Sequence, residues 1–197
     1  QFIKALLNNE KGLHIDKDHF MTISPDEGSM NRAIYLANVL GVDMGMYYKR
    51  LDYSRYVNGR HPIAAYEFLG PKIEGKDMIL IDDMISSGDT IIKIASLLKE
   101  KGAGRVYICS TFGFFTDGLD KFDDAYKKGY FDKLLTTNLV YQSPELLEKP
   151  YYISCDMSKY IALIIDTLNH DTSVSHLLNP VDRIKRCVTN YMSQHEK

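Results

Sequence analysis

The chain has 197 residues, of which 45% are hydrophobic and 25% charged, a balance typical of one globular domain with a substantial core. The formal net charge is −2 and the basic residues are spread along the chain, which argues against binding to nucleic acid or to an anionic membrane. The three cysteines are far apart and lack CxxC spacing, which argues against a disulfide framework and against a Cys-ligated zinc site and favours a reducing cytoplasm.

The first third of the chain alternates between helical and extended patterns. The opening FIKALL predicts the end of a helix, and because no Met precedes it we expect the chain to be a fragment. The next three segments predict a strand, a helix ended by a glycine and a second strand: DHFMTISP (18–25), SMNRAIYLANVLG (29–41) and DMGMYYK (43–49). Residues 50–62 are polar and basic and contain an Asn-Gly turn signal at Asn58, so they predict a connection at the surface.

The rest of the chain continues this alternation. The clearest helix is TIIKIASLLKEKG (90–102), because its apolar positions follow the 3.6-residue period. Strands are predicted at 63–70, 77–81, 105–113, 133–138 and 151–156. Further helices are predicted near 118–129, 157–169 and 181–194.

Strands that alternate with helices predict an α/β protein with three αβα layers around a mostly parallel central sheet. We expect one domain over residues 1–197, in which 181–197 form a C-terminal helical extension. Ligands of such sheets bind beyond the carboxyl ends of the strands, where the strand order reverses. The strand-end loops are therefore the first places to look for a site.

The stretch LIDDMISSGDT (80–90) has the composition of a binding site. Two adjacent carboxylates, Asp82 and Asp83, follow an apolar strand and provide acceptors that suit sugar hydroxyls or a hydrated Mg²⁺. Residues 86–90 add hydroxyls and free backbone amides directly before the predicted 90–102 helix, a geometry that favours anion binding. Turn and capping chemistry would explain each residue singly, but the whole run favours a phosphorylated polyol.

These residues carry a resemblance to a known family. The run 80–90 resembles the fingerprint of type I phosphoribosyltransferases. SPDEGSMNRA (24–33) resembles the pyrophosphate loop of the ribose-phosphate pyrophosphokinase family, also called phosphoribosyl pyrophosphate synthetases, and VSHLLNP (174–180) resembles its C-terminal end. YYKRLDYSR (47–55) falls where the family has a catalytic flexible loop. The resemblance implies a phosphoribosyltransferase-like fold and the C-terminal half of a two-domain enzyme.

The resemblance also implies a role for each matching residue. Asp82 and Asp83 would hold the ribose hydroxyls, directly or through Mg²⁺, and Asp26 would be a further metal ligand. The 5-phosphate loop would be formed by Ser86, Ser87, Gly88, Asp89 and Thr90, and the pyrophosphate loop by Asp26, Glu27, Gly28 and Ser29. Lys49, with Arg50 or the nearby Arg55, would act as the catalytic cations that close over the phosphates.

The activity implied is the transfer of diphosphate from ATP to ribose 5-phosphate, which gives phosphoribosyl pyrophosphate and AMP and requires Mg²⁺. A homo-oligomer is the implied assembly. Two departures stand out, since Ser29 replaces the second glycine of the family's pyrophosphate loop and Asp89 places a carboxylate beside the expected phosphate. Two alternatives therefore stay open: a phosphoribosyltransferase that acts on a base, and a non-catalytic regulatory paralogue of the synthetase.

Overall fold

The structure is a computed structural model that describes residues 1–56, 59 and 61–195. Asn58 of the predicted turn and the last two residues of the predicted C-terminal extension lie outside the described residues. The strands are β1 (Phe20–Ser24), β2 (Asp43–Leu51), β3 (Ile63–Leu69), β4 (Asp77–Ile85), β5 (Val106–Gly113), β6 (Lys133–Thr137) and β7 (Tyr152–Cys155). The helices are α1 (Phe2–Asn9), α2 (Met30–Leu40), α3 (Asp89–Glu100), α4 (Asp120–Lys127), α5 (Pro144–Leu147), α6 (Ser158–Asn169), α7 (Ser175–Leu178) and α8 (Val181–His195).

The strands form one seven-stranded sheet in the order β3-β2-β1-β4-β5-β6-β7. Neighbouring strands are parallel except β2 and β3, which pair as an antiparallel hairpin at the edge. The order runs outward in one direction from β1 and in the other from β4, so the switch point lies between these two strands. The loops after β1 and β4 therefore start side by side.

Two hydrophobic cores, one on each face of the sheet, produce the three layers. On one face, α3 packs its apolar stripe, which includes Ile91, Ile94 and Leu98, and α4 adds Phe122. On the other face, α1, α2 and α8 pack together against alternate residues of the same strands. In β4 this alternation is explicit, since Leu80 belongs to the first core and Ile79 to the second. The predicted fold class is confirmed.

Most predicted elements are confirmed within two residues, and the main correction concerns β4. The apolar pattern predicts a strand that stops at Ile81, whereas β4 continues to Ile85. The extension forms because β5 pairs with it, with Asp82 opposite Ser110 and Ile85 opposite Gly113. Asp82 and Asp83 therefore lie within the paired part of β4 and not in the loop that follows it.

Two short helices, α5 and α7, were not expected from the sequence, since four residues show no apolar period.

Helix α6 was expected, but several of its apolar side chains are exposed to solvent. Its apolar side chains Ile161, Ile165 and Leu168, spaced at i, i+4 and i+7, are 36%, 61% and 60% exposed. Among the described residues, we find no helix with the length and apolar content needed to span a bilayer.

Candidate functional site

The loops after β1 and β4 meet at the switch point, as the topology requires. The hydroxyl of Ser29, at the start of α2, donates a hydrogen bond of 2.6 Å to Oδ1 of Asp82. The amide of Ser29 donates to Oδ1 of Asp26 at 3.2 Å, which folds the 26–29 loop back on itself. One contact thus joins the two segments that the sequence assigns to pyrophosphate and to ribose.

Ser29 is fully buried, and its hydroxyl binds a carboxylate of β4 instead of capping α2. It occupies the N-cap position of α2 but makes no side-chain bond to the helix. Its proton goes to Asp82 instead. The residue that replaces the family's second glycine therefore holds one of the two strand-end carboxylates.

The environment of Asp82 disfavours its charged form. Burial raises the pKa of the Asp82 carboxyl above its ordinary value, and the nearby Asp26 carboxylate raises it further. The hydrogen bonds from Ser29 and from the amide of Asp83 oppose this shift. The balance leaves a partly buried carboxylate that would gain from a cation or from hydroxyl donors.

Asp83 lies in more polar surroundings. Its Oδ1 accepts the amide of Met84 at 2.9 Å, and its Oδ2 lies 3.4 Å from Nη2 of Arg32. Both side chains of this ion pair are 44% exposed, so solvent screens the attraction. Asp83 is therefore oriented by Arg32 but remains open to a ligand.

The 86–90 loop has the backbone geometry of an anion cradle. Gly88 adopts a φ of +84°, which places it at the left-handed N-cap of α3, and the amide of Ile92 bonds to its carbonyl oxygen at 3.0 Å. Within the described residues, no acceptor is found for the backbone amides of Ser86, Ser87 and Thr90. These amides and the positive end of the α3 dipole favour an anion at this point.

Gly88 is needed for a second reason, because the loop rests on α4. A Cβ atom at Gly88 would lie 2.3 Å from Cζ of Phe122, which is fully buried. Real side chains do not approach this closely, so only glycine fits. The close contact fixes the height of the loop above the core.

Both carboxylate oxygens of Asp89 accept hydrogen bonds from side chains of this chain. Its Oδ1 accepts a hydrogen bond of 2.8 Å from Nζ of Lys121, and its Oδ2 accepts one of 2.8 Å from the hydroxyl of Ser87. The bond from Lys121 is the main reason that the pKa of this carboxyl is lowered. The carboxylate that departs from the family pattern is therefore paired with a cation of this chain.

These segments enclose a cavity of about 250 Å³. Its lining includes most of the predicted ribose and phosphate residues: Asp26, Asp82, Asp83, Ser86, Ser87, Gly88, Asp89 and Thr90. Of the remaining predicted loop residues, Glu27 and Gly28 are exposed and outside this lining, while Ser29 contacts it through Asp82.

Lys49 lies in the edge hairpin and contacts a residue that lines this cavity. Its Nζ lies 3.4 Å from Oγ1 of Thr90, at the far end of the phosphate loop. Tyr66 lies opposite Lys49 in the β2–β3 pairing, and the neighbouring Thr90 hydroxyl opposes the rise that burial causes in the pKa of Tyr66. Two side chains of the hairpin thus converge on one hydroxyl of the loop.

Arg50 is not brought to the cavity. It lies in β2 and not in a loop, its side chain is 60% exposed, and its Nε pairs with Oε1 of Glu67 at 2.7 Å. Glu67 also accepts a short hydrogen bond from Tyr48. Arg55 is exposed in the connection between the two strands. Catalytic roles for Lys49, Arg50 and Arg55 stay predictions.

The donor set suits a hydrated Mg²⁺ better than a caged metal. Among the described residues there is no cluster of three or more His, Cys, Asp or Glu side chains that could hold a metal by themselves. Mg²⁺ commonly binds through one or two carboxylates and completes its shell with water and substrate oxygens. Asp82, with Asp26 near enough to raise its pKa, provides such a pair.

Three residues near the site were not identified by the sequence analysis: Arg32, Tyr66 and Lys121. Arg32 follows Ser29 by three residues, so helical spacing places it next to the same loop and is a usable signal. Tyr66 and Lys121 come from elements far along the chain, and nothing in their local sequence points to the loop.

Sequence comparison gives the family of the chain. The sequence model described as phosphoribosyl synthetase-associated domain matches residues 60–179, which is more than half of the chain. The chain belongs to the phosphoribosyl synthetase-associated domain family. The matched range includes β4 and the 86–90 loop, so the central part of the cavity lies within the family segment.

Individual relatives agree with the family. The chain is 29% identical to a ribose-phosphate pyrophosphokinase of Vibrio parahaemolyticus over 163 residues, 82% of this chain and 49% of the relative. It is 31% identical to a ribose-phosphate pyrophosphokinase of Thermococcus kodakarensis over 121 residues, 61% of this chain and 39% of the relative. The chain thus spans about half the length of the curated relatives it matches, or less.

A solved structure shares the fold of this family member. The crystal structure of phosphoribosylpyrophosphate synthetase from Mycobacterium smegmatis superposes with a TM-score of 0.63 at 24% identity. The match covers 77% of this chain and 45% of that chain. The phosphoribosyltransferase-like α/β fold expected from the sequence is confirmed.

Proposed function

We propose that the chain is the ribose 5-phosphate- and diphosphate-binding domain of a ribose-phosphate pyrophosphokinase. The observation that carries the proposal is the convergence at the switch point. A carboxylate pair and an amide-lined loop at the start of α3 line one cavity of about 250 Å³, and the ammonium group of Lys49 contacts this loop at Thr90. The names of the sequence relatives support the same reaction.

Each end of ribose 5-phosphate has matching groups in the cavity. The free amides of the 86–90 loop and the hydroxyl of Thr90 would bind the 5-phosphate, aided by the α3 dipole. Asp82 and Asp83 would accept hydrogen bonds from the ribose hydroxyls, since ionised carboxylates are acceptors only. Bound in this way, the sugar would be held at both ends.

The reaction transfers the β,γ-diphosphate of ATP to the anomeric oxygen of the sugar. The anomeric oxygen forms a bond to the β-phosphorus, and its proton is released to water. The bond from the β-phosphorus to the α,β-bridging oxygen breaks, and AMP leaves with that oxygen. When Mg²⁺ is bound, it neutralises charge on the transferring phosphates. Lys49 would add a positive charge on the side of the β2–β3 hairpin. The bond from the Ser29 amide to Asp26 would hold the 26–29 loop in shape, so that the amides of Glu27 and Gly28 face the diphosphate and Asp26 can act as a metal ligand.

The proposal includes a setting for this domain. Residues 1–197 would form the C-terminal half of a two-domain, cytoplasmic, homo-oligomeric enzyme, in which the rest of the ATP site comes from outside this chain. The partial coverage of the relatives supports the two-domain form. The exposed apolar side chains of α6 support association with further protein. Arg50 and Arg55 would move toward the phosphates only when both substrates are present.

The test is isothermal titration calorimetry of the chain with ribose 5-phosphate in the presence of Mg²⁺. We expect saturable binding to one site, and no binding of ribose, which lacks the phosphate. If ribose 5-phosphate does not bind, while phosphoribosyl pyrophosphate binds together with a purine or pyrimidine base, the chain is a base phosphoribosyltransferase and the proposal is wrong. If a longer protein that contains the chain binds both substrates but releases no AMP, the regulatory alternative holds.

A further inference from the structure

A lysine of α4 is bonded to the carboxylate at the start of α3. Lys121 Nζ lies 2.8 Å from Oδ1 of Asp89 and 2.9 Å from Oδ2 of Asp117. The other oxygen of Asp89 accepts the hydroxyl of Ser87. Both oxygens of a carboxylate that is 67% exposed are therefore occupied by groups of this chain.

The position of Lys121 is set by its neighbour in the sequence. Phe122 is fully buried and supports Gly88 from below, and its ring meets that of Phe115 edge to face at 5.2 Å between centroids. The first turn of α4 cannot shift without moving the 86–90 loop. Lys121 is thus presented to Asp89 from a rigid base.

The carboxylate of Asp89 opposes phosphate binding at this loop in two ways. A carboxylate in the first turn of a helix is attracted to the free amides there and would compete with a phosphate for them. Its charge also repels a bound dianion across a short distance. A cation that holds this carboxylate outside removes the competition and offsets the repulsion.

We propose that Lys121 is a positioning residue of the phosphate loop: it holds Asp89 away from the bound 5-phosphate and offsets part of its charge. The inference rests on the proposed function, because it takes residues 86–90 as the 5-phosphate site. It adds a residue of α4 to that site and explains how the loop accommodates an acidic residue. Lys121 acts through Asp89 and does not touch the sugar phosphate.

The test compares ribose 5-phosphate affinity, measured by calorimetry with Mg²⁺, in a set of variants. Lys121→Ala should weaken binding about tenfold at low salt, because Asp89 is released and left uncompensated. Asp89→Asn combined with Lys121→Ala should restore binding to within about threefold of the wild type, and Lys121→Arg should keep it. Raising the salt concentration should reduce the loss caused by Lys121→Ala, since salt screens the repulsion.

Lys128→Ala is the matched control, because it removes a positive charge at the other end of α4. It should leave the affinity within twofold of the wild type. The thermal unfolding midpoint of each variant shows whether a loss of affinity is caused by a loss of folding. A folded Lys121→Ala that binds as tightly as the wild type, or a loss that Asp89→Asn does not restore, would overturn the role of Lys121 alone. If the wild type does not bind ribose 5-phosphate, the proposed function fails and this inference with it.

Discussion

Asp82 lies near the end of a buried strand, and its two hydrogen bonds do not fully compensate for the burial of its charge. It accepts the Ser29 hydroxyl at 2.6 Å and the Asp83 amide at 2.9 Å. Burial and the charge of Asp26 nevertheless raise its pKa. The charged form of Asp82 is less favoured here than in water, and groups with shifted pKa values concentrate at functional sites.

We expect Asp82→Asn to stabilise the chain and to impair binding. The asparagine oxygen can still accept both hydrogen bonds, while the buried charge and its repulsion from Asp26 are removed. The free energy of unfolding at pH 7 should rise by about 1 kcal/mol, which is about 2–4 °C in Tm. Ribose 5-phosphate affinity should fall about 10- to 100-fold through the loss of charged hydrogen bonds.

The pH dependence of this effect follows from the raised pKa. The folded wild type takes up a proton at Asp82 at a higher pH than the unfolded chain does, so its stability falls as pH rises through that pKa. The advantage of the variant should therefore shrink as pH falls toward the ordinary range of an aspartate. Urea unfolding across a pH series, with the exposed Asp124→Asn as control, measures this. A variant with wild-type affinity would remove Asp82 from the site.

Gly88 combines two constraints that can be separated by mutation. Gly88→Ala should destabilise the chain by about 2–4 kcal/mol, because the alanine is strained at a φ of +84° and its Cβ would collide with Phe122. Gly118→Ala is the matched control, with a φ of +78° and no atom within 4 Å of the added Cβ, and should cost only about 1 kcal/mol. Equal losses in urea unfolding would show that the contact with Phe122 does not matter.

At the scale of elements, the β2–β3 hairpin includes two of the residues that the family resemblance assigns to catalysis. Lys49 ends the predicted strand 43–49 and Arg50 begins the predicted connection, but both lie in β2, opposite Tyr66 and Ala65 of β3. The local sequence could predict a strand and a polar connection. It could not show that the ladder extends to Leu51, because that depends on the partner strand.

Lys49→Ala tests the contribution of this hairpin to the phosphate loop. Lys49 and Thr90 are 3.4 Å apart, so the loss of the ammonium group should weaken ribose 5-phosphate binding about fivefold or more, an effect that salt screens. Lys72→Ala, a lysine that is 81% exposed and paired with Glu74, should have no such effect. Calorimetric titrations at two salt concentrations measure both. Equal affinities of the two variants for ribose 5-phosphate would show that Lys49 of the hairpin does not contribute to binding.

At the scale of the whole molecule, the sequence could predict the layers and the two strand-end loops, because both depend on local periodicity and chain order. The meeting of Asp82 with the 24–29 segment follows from parallel topology alone. The contacts of Lys121 with Asp89 and of Tyr66 with Thr90 do not, since they depend on how far each element extends and on its rotation in the packed structure. Side-chain partners across layers require the coordinates.

The exposed side of α6 gives the last prediction, on assembly. Ile165 and Leu168 are about as exposed as polar surface residues, at 61% and 60%, although both are large and apolar. If the chain associates through this side, Ile165→Asp with Leu168→Asp should leave Tm within about 2 °C and shift the mass distribution toward the monomer. Sedimentation velocity over a series of protein concentrations measures this shift, with Leu147→Asp, a leucine of α5 that is 51% exposed, as the control. Association that is equally strong in the wild type and in the α6 variant would place the contact elsewhere, and a wild type that stays monomeric at every concentration would contradict a homo-oligomer of this domain.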